Sequence, residues 1–342
     1  MKFDFVIGNP PYQDETIGGN TKAPSVYNSF LEEAYKVGDS VLVIHPARFL
    51  FNAGDTDKKW NQKKLSDPHL KVVFYEPHSE LVFSNKEIKG GIAVTYRDTN
   101  KDFGAIELFF KEPELNGITK KVFRNSFVSF SDIVYSPVAF KFTDKMHEEN
   151  PQLKAKMSKG NEYEVKTNVF ETIAEVFFDK VPQDGHEYLT ILGRKDNTRV
   201  YKYIRKEYIS NKTNLYYFKA VMPEATGIGK FGEAVFPPHV EGPGVGMTQT
   251  FISMGKFETA IDAENVTKYI RTKFCRALLG TLKVTQHTSI SAWKYVPLQD
   301  FTPASDIDWS KPIPQIDQQL YRKYGLTEEE IAFIESHVKE MT

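Results

Sequence analysis

Phe3-Asp4-Phe5-Val6-Ile7-Gly8-Asn9-Pro10-Pro11-Tyr12 is the stretch on which the reading of this chain turns. Phe3 to Ile7 reads as a strand closed by Gly8, and Asn9 to Tyr12 follow directly at its carboxyl end. At residue usages of about 5% each, a given tetrapeptide arises by chance in a chain of this size only a few times in roughly a thousand. The competing reading of these four residues is a tight turn in which two prolines fix the backbone.

Outward from this stretch the pattern alternates strand and helix, which predicts an α/β layer fold with a largely parallel sheet over the first hundred residues. A polar loop, Gln13 to Pro24 with Gly18-Gly19, leads to Ser25 as N-cap of a helix carrying Val26, Tyr27, Phe30, Leu31 and Ala34 and stopping at Gly38. Strands are expected at Ser40 to His45, Lys71 to Tyr75 and Lys89 to Tyr96, with an exposed loop and helix over Asp55 to Asp67. Beyond about residue 115 the alternation gives way to short apolar and aromatic segments broken by Gly, Pro and Asn, the mark of an irregular mixed α+β domain. Within it, Asp262 is expected to cap one helix in which Val266, Ile270, Phe274 and Leu278 recur every four residues up to Gly280. Pro314 opens a further helix ending at Gly325, and Thr327 with Glu330 forms a capping box stapled by Leu326 and Ile331. The expected division is 1–115, 116–310 and a closing helical segment, 311–342.

The 342 residues suffice for roughly two domains, and 40% apolar with 26% charged residues is the composition of a folded globular chain. The longest apolar runs are strand-sized, and no signal-peptide pattern precedes the first strand, which places the protein in the cytoplasm. Cys275, the single cysteine, excludes an internal disulfide and a multi-cysteine zinc cage, and its apolar neighbours make it a core residue. Eight scattered histidines without an i,i+4 pair give no metal site. Lys and Arg number 44 against 45 Asp and Glu, yet residues 194–294 alone hold 16 against 8. That block interleaves tyrosine and phenylalanine with its cations, the mixture a phosphate-contacting, base-stacking surface needs. A solvated basic surface over an aromatic core fits the same counts.

Asn9-Pro10-Pro11-Tyr12, His45-Pro46-Ala47-Arg48-Phe49-Leu50 and Leu81-Val82-Phe83 before Gly91-Ile92-Ala93-Val94 resemble successive motifs of gamma-class adenine-specific DNA methyltransferases. Thr248-Gln249-Thr250-Phe251, Thr285-Gln286-His287, Val296 to Phe301 and Ser305 to Trp309 resemble the recognition half of restriction-modification methylases. The resemblance implies a partial Rossmann-like methyltransferase sheet followed by a target-recognition domain. It implies methyl transfer from S-adenosylmethionine to the exocyclic amino group of an adenine flipped out of double-stranded DNA. Asn9 and Pro10 would accept the two amino hydrogens, gathering the nitrogen lone pair for attack, while Pro11 stiffens the Pro10 carbonyl. Tyr12 would stack on the base and Phe83 would pack against its opposite face, unless Phe83 is simply core. Lys230, Lys268, Arg271, Lys273, Arg276 and Gln286 are the expected DNA contacts.

The family binds its cofactor through a glycine motif on a strand preceding the Asn-Pro-Pro-Tyr strand, and no such motif precedes it here. A partner or amino-terminal half is therefore expected to supply most of that site. The alternative is a permuted enzyme using Gly227-Ile228-Gly229-Lys230-Phe231-Gly232, a segment spaced as GxGxxG that runs into Pro237-Pro238 instead of a helix. Two other functions stay open: a non-catalytic specificity fragment, and a nuclease using Glu87-Ile88-Lys89 or Glu164-Val165-Lys166.

Overall fold

The computed structural model describes residues 3–13, 24–84, 88–124, 127–196, 198–210 and 213–341. The chain divides into two compact units, Met1–Gly117 and Ile118–Thr342. It is a mixed α/β protein with three sheets among the described residues.

The first unit is built on β1 (Phe3–Gly8), α1 (Tyr27–Val37), β2 (Gly38–Pro46), α2 (Lys58–Leu65), β3 (Leu70–Glu76) and β4 (Ile92–Asp98). Its sheet has the order β1-β2-β4-β3. β1 and β2 pair in parallel, whereas β4 runs antiparallel to both β2 and β3. The expectation of a largely parallel sheet therefore holds for strand direction but not for pairing, because β4 inserts between two strands of the opposite sense. Tyr27 and Leu31 of α1 pack with Val41, Val43, Phe49, Leu50 and Ala93 into one apolar cluster. Ser25 does not cap α1: Val26 holds the cap position and no side chain bonds there. Asp57 caps α2, accepting from the Lys59 and Trp60 amides. This segment is not wholly exposed as expected, since Lys64 is buried and pairs with Glu32 at 2.6 Å.

Helix α3 (Pro113–Arg124) spans the division between the units. The second unit carries β5 (Val134–Tyr135), three short helices, α4 (Asp144–Glu149), α5 (Pro151–Lys154) and α6 (Val169–Thr172), and then β6 (Tyr188–Lys195) and β7 (Thr198–Arg205). β8 (Phe218–Pro223), β9 (His239–Glu241), β10 (Val245–Met247) and β11 (Phe251–Phe257) follow, and helices α7 (Ala260–Arg271), α8 (Lys273–Gly280), α9 (Ile313–Lys323) and α10 (Glu328–His337) close the chain. Two sheets result, β10-β6-β7 and β5-β11-β8-β9.

The single helix expected over 262–280 is two helices, and Thr259, not Asp262, caps the first. Thr272 breaks the run with extended backbone, ψ 147°. Its hydroxyl donates to the Tyr269 carbonyl at 2.7 Å and accepts the Cys275 amide at 3.1 Å. Asp317 of α9 accepts the Lys273 and Phe274 amides, so a carboxylate from a distant helix satisfies the new amino terminus. The four-residue repeat survives the break, with Val266, Ile270, Phe274 and Leu278 all buried, and Cys275 is buried beside them. At α10 the capping box of Thr327 and Glu330 is formed in full.

Candidate functional site

β1 delivers Asn9 to Tyr12 to the end of the sheet where ligand sites of open α/β sheets form. Asn9 and Pro11 are exposed, while Pro10 and Tyr12 are half-buried. The Tyr12 carbonyl accepts the Val26 amide at 3.2 Å, tying the turn to the start of α1, and Gln13 bridges to Ser25. The Tyr12 ring packs on the apolar cluster of the unit. The proposed covering loop, residues 14–23, lies outside the described residues.

Phe83 reaches the same place from a turn at Ser79–Leu81, where the Val82 and Phe83 amides both bond the Ser79 carbonyl. Its ring meets Tyr12 edge-on, with centroids 6.2 Å apart and planes at 70°. Two residues distant in sequence are thus brought together, but they are not two parallel walls. In this arrangement a base lying flat on one of these rings would meet the edge of the other.

Beside this pair opens a cavity of about 320 Å³ whose lining includes Tyr12, Ser25, Tyr27, Arg48, Asp55 and Lys89. That volume is at the small end of the roughly 300–1,000 Å³ typical of ligand sites. Its walls come from the segments after β1 and β2 and before β4, all at one end of the sheet. Arg48 Nη1 lies 3.8 Å from Asp55 Oδ2. The arginine stem fits because Gly54 and Gly90, at φ +96° and +91°, have no side chain; a Cβ there would come within 3.0 and 2.7 Å of it. Burial pushes the Tyr12 and Tyr27 hydroxyls up to about 12, so both are neutral donors near pH 7. The buried Tyr12 Oη has no hydrogen-bond partner among the described residues. Tyr12 and Ser25 both line the cavity, so a polar group entering it would meet a wall that carries hydroxyls.

Behind Tyr27, the fully buried His45 ring stacks at 5.7 Å and 7°. A carbonyl can only accept, so His45 Nδ1 carries the hydrogen toward the Pro46 oxygen at 3.0 Å, and Nε2 accepts the Thr95 hydroxyl at 2.9 Å. Burial drives its pKa down to about 4.

In the second unit the expected DNA contacts separate into two groups. Lys230 and Gln286 are exposed. Arg276 is only 2% exposed, with its guanidinium spent on the Arg271 and Glu233 carbonyls, so it is a structural residue and not a DNA contact. Lys268 donates to the Trp309 carbonyl and Lys273 to Glu335, so both lysines are engaged by later parts of the chain. Arg271 is half-buried, its Nε without a partner among the described residues.

Gly227, Gly229 and Gly232 all have positive φ. The amides of Ile228 and Gly229 donate to the Glu233 carboxylate, which Lys283 in turn neutralises. A Cβ at Gly229 would strike the Val284 and Thr285 backbone, and one at Gly232 the His337 carbonyl. The amides a nucleotide phosphate would need are taken by the chain's own carboxylate, and no helix follows, so this segment does not fit a cofactor-binding loop. Glu164 of the second nuclease-like motif is held by Lys141 and Gln249, and Glu87 of the first lies outside the described residues. Among the described residues no group of three or more His, Cys, Asp or Glu is arranged to hold a metal, and no helix is long and apolar enough to cross a membrane.

Arg48, Asp55, Ser25 and Tyr27 were not legible as site residues, and Lys89 was singled out only within a nuclease-like motif. Arg48 sits within a quoted motif, but nothing in the spacing of the others links them to it.

Residues 1–83 match the model of a protein family described as the Eco57I restriction-modification methylase. Over 95 residues, 27% of this chain, the sequence is 32% identical to an uncharacterized adenine-specific methylase of Mycoplasma pneumoniae, of which the match spans 22%. The type IIG restriction endonuclease BpuSI aligns over 98% of this chain and 53% of its own, at 10% identity and a TM-score of 0.30. The type IIL restriction-modification enzyme MmeI, solved in complex with DNA, aligns over 97% and 56%, at 10% identity and 0.31. Likeness at that level assigns neither fold nor function. The chain spans about half the length of these two structures.

Proposed function

We propose that this chain supplies the catalytic motif and the DNA-recognition part of an adenine-specific DNA methyltransferase in a restriction-modification system. The observation that carries this is Asn9 to Tyr12 standing beside a polar cavity at the end of the first sheet, inside the 83 residues that match the restriction-modification methylase family. The likeness over 95 residues to an adenine-specific methylase supports adenine as the target.

In this reading the adenine leaves the duplex and lies against Tyr12, with the edge of Phe83 at its side. The Asn9 side-chain oxygen and the Pro10 carbonyl each accept one amino hydrogen, localising the lone pair that attacks the methyl group. Both φ angles of the di-proline are locked, so the carbonyl is aimed before the base arrives. The methyl donor is S-adenosylmethionine. Gly227 to Gly232 does not fit it, because Glu233 already takes the Ile228 and Gly229 amides. Its site is assigned to a partner or an amino-terminal half. That assignment is supported by β1, which among the described residues is an edge strand bonded to β2 alone and leaves Phe3, Phe5 and Ile7 50%, 51% and 73% exposed.

The misfit of the glycine segment also favours a second reading, a specificity fragment that binds DNA without catalysing transfer. Methyl transfer to duplex DNA, assayed with the chain joined to the remainder of its protein, separates the two. Asn9→Ala is expected to lower transfer about 100-fold or more while DNA binding stays unchanged. Full activity in that variant overturns the assignment of Asn9, and no transfer by the assembled wild type leaves the second reading.

A further inference from the structure

The second unit contains a feature that none of the expected DNA contacts used. β6 and β7 pair antiparallel from Tyr188–Arg205 to Lys195–Thr198, which sets Arg194 directly opposite Arg199. Like charges directly opposite on a sheet destabilise the pair. Elsewhere on the same hairpin the cations are neutralised: Lys202 pairs with Asp179, Lys206 with Glu187, and Arg205 with Glu149 and Asp184. Arg194, Lys195 and Arg199 have no such partner among the described residues, and all three are exposed. Three cations against the single acid Asp196 therefore leave the tip with a net positive charge, two of its cations opposed across the strands at a cost to stability.

The third strand of this sheet, β10, covers only Thr190 to Leu192. Beyond Gly193 and Val200 the hairpin stands as a two-stranded ribbon, with Phe170 packed beneath Gly193 at its root. Side chains alternate across it, so Arg194, Arg199 and Tyr201 share one face while Lys195 and Thr198 share the other. Tyr201 is 45% exposed and held in place by a 2.7 Å bond to Glu241. Positive charge on both faces of a narrow ribbon suits a groove lined by phosphates on both walls. The major groove, about 12 Å wide, admits a two-stranded ribbon.

We propose that the tip of the β6–β7 hairpin enters the major groove of duplex DNA, with Arg194 and Arg199 on the phosphates of one wall and Lys195 on the other. This rests on the reading of the chain as one that acts on DNA, and it moves the contact surface away from α7 and α8.

The test is a titration of the full chain with duplex DNA, followed by fluorescence anisotropy between about 50 and 200 mM salt. Each lost phosphate contact removes about 0.9 from the slope of log affinity against log salt. The double variant Arg194→Gln, Arg199→Gln is expected to lower that slope by about 2 and to weaken binding about 10-fold or more. Its melting temperature is expected to stay level or rise, because the opposed charges are gone. Lys154→Gln with Lys159→Gln makes the same charge change at two exposed positions elsewhere and is expected to bind as wild type. Wild-type binding with an unchanged slope in the arginine variant overturns the ribbon and leaves the DNA reading standing. Equal weakening in both pairs also overturns it, since net charge then explains the effect. A wild-type chain that binds no DNA overturns both.

Discussion

Tyr12 shows how one residue serves two ends. Its ring belongs to the apolar cluster of the first unit, yet its hydroxyl is buried with no hydrogen-bond partner among the described residues. An unpaired buried hydroxyl costs about 1–3 kcal/mol, so Tyr12→Phe is expected to stabilise the first unit by about 1 kcal/mol in chemical denaturation. The same variant is expected to weaken any ligand that uses the hydroxyl. A loss of stability would mean that the hydroxyl already has a partner. Asn9 and Pro10 could be singled out in the sequence because the chemistry proposed for them needs adjacent residues on one strand end. Arg48 and Asp55 could not, because their meeting depends on two glycines that leave space for an arginine stem.

At the scale of elements, the glycine segment and the broken helix carry the same lesson. GxGxxG spacing describes a loop of positive-φ residues, and the three glycines do adopt positive φ. What the spacing does not contain is Glu233, whose carboxylate occupies the anion position and is paired with Lys283. Gly229→Ala combines left-handed backbone with a backbone collision and is expected to cost about 2–4 kcal/mol, read as a lower urea midpoint. An unchanged midpoint would mean that the loop is free to move, and the carboxylate would no longer exclude an outside anion. The break at Thr272 was invisible to periodicity because the buried repeat runs through it unchanged. The cap that stabilises it comes from Asp317, 45 residues later in sequence.

Over the whole molecule, the two units carry buried titrating groups of opposite sense. In the first, His45 has its pKa depressed from 6.5 to about 4, so the unfolded chain binds a proton that the folded one refuses. Its contribution is complete above about pH 6.5 and is lost as pH falls toward 4, a swing of up to about 3 kcal/mol. In the second, burial raises Asp317 from 3.8 to about 6, despite two amide donors. There the folded state holds the extra proton, so this contribution is present below about pH 4 and is lost as pH rises through 6. Melting curves between pH 7 and 4 are expected to show the stability of His45→Gln and wild type converging as pH falls. Parallel curves would mean that His45 is reached by water in the folded protein.

The sequence by itself determined the elements whose cause is local. These are the first strand and the motif behind it, the capping box of the last helix, the buried four-residue repeat and the positive charge of residues 194–294. It also determined that Cys275 is buried. Only the tertiary structure decided what depends on groups far apart in the chain meeting at a few ångströms. Insertion of β4 between strands of opposite sense made the pairing mixed. Packing of Arg276 into the core removed it from any DNA surface. The short reach of β10 left the β6–β7 tip standing free, so that the charge visible in composition acquired a place. Local preferences act over a turn or a strand pair, whereas burial, charge pairing and cavity shape are set by which surfaces the fold brings into contact, and a linear pattern does not contain that.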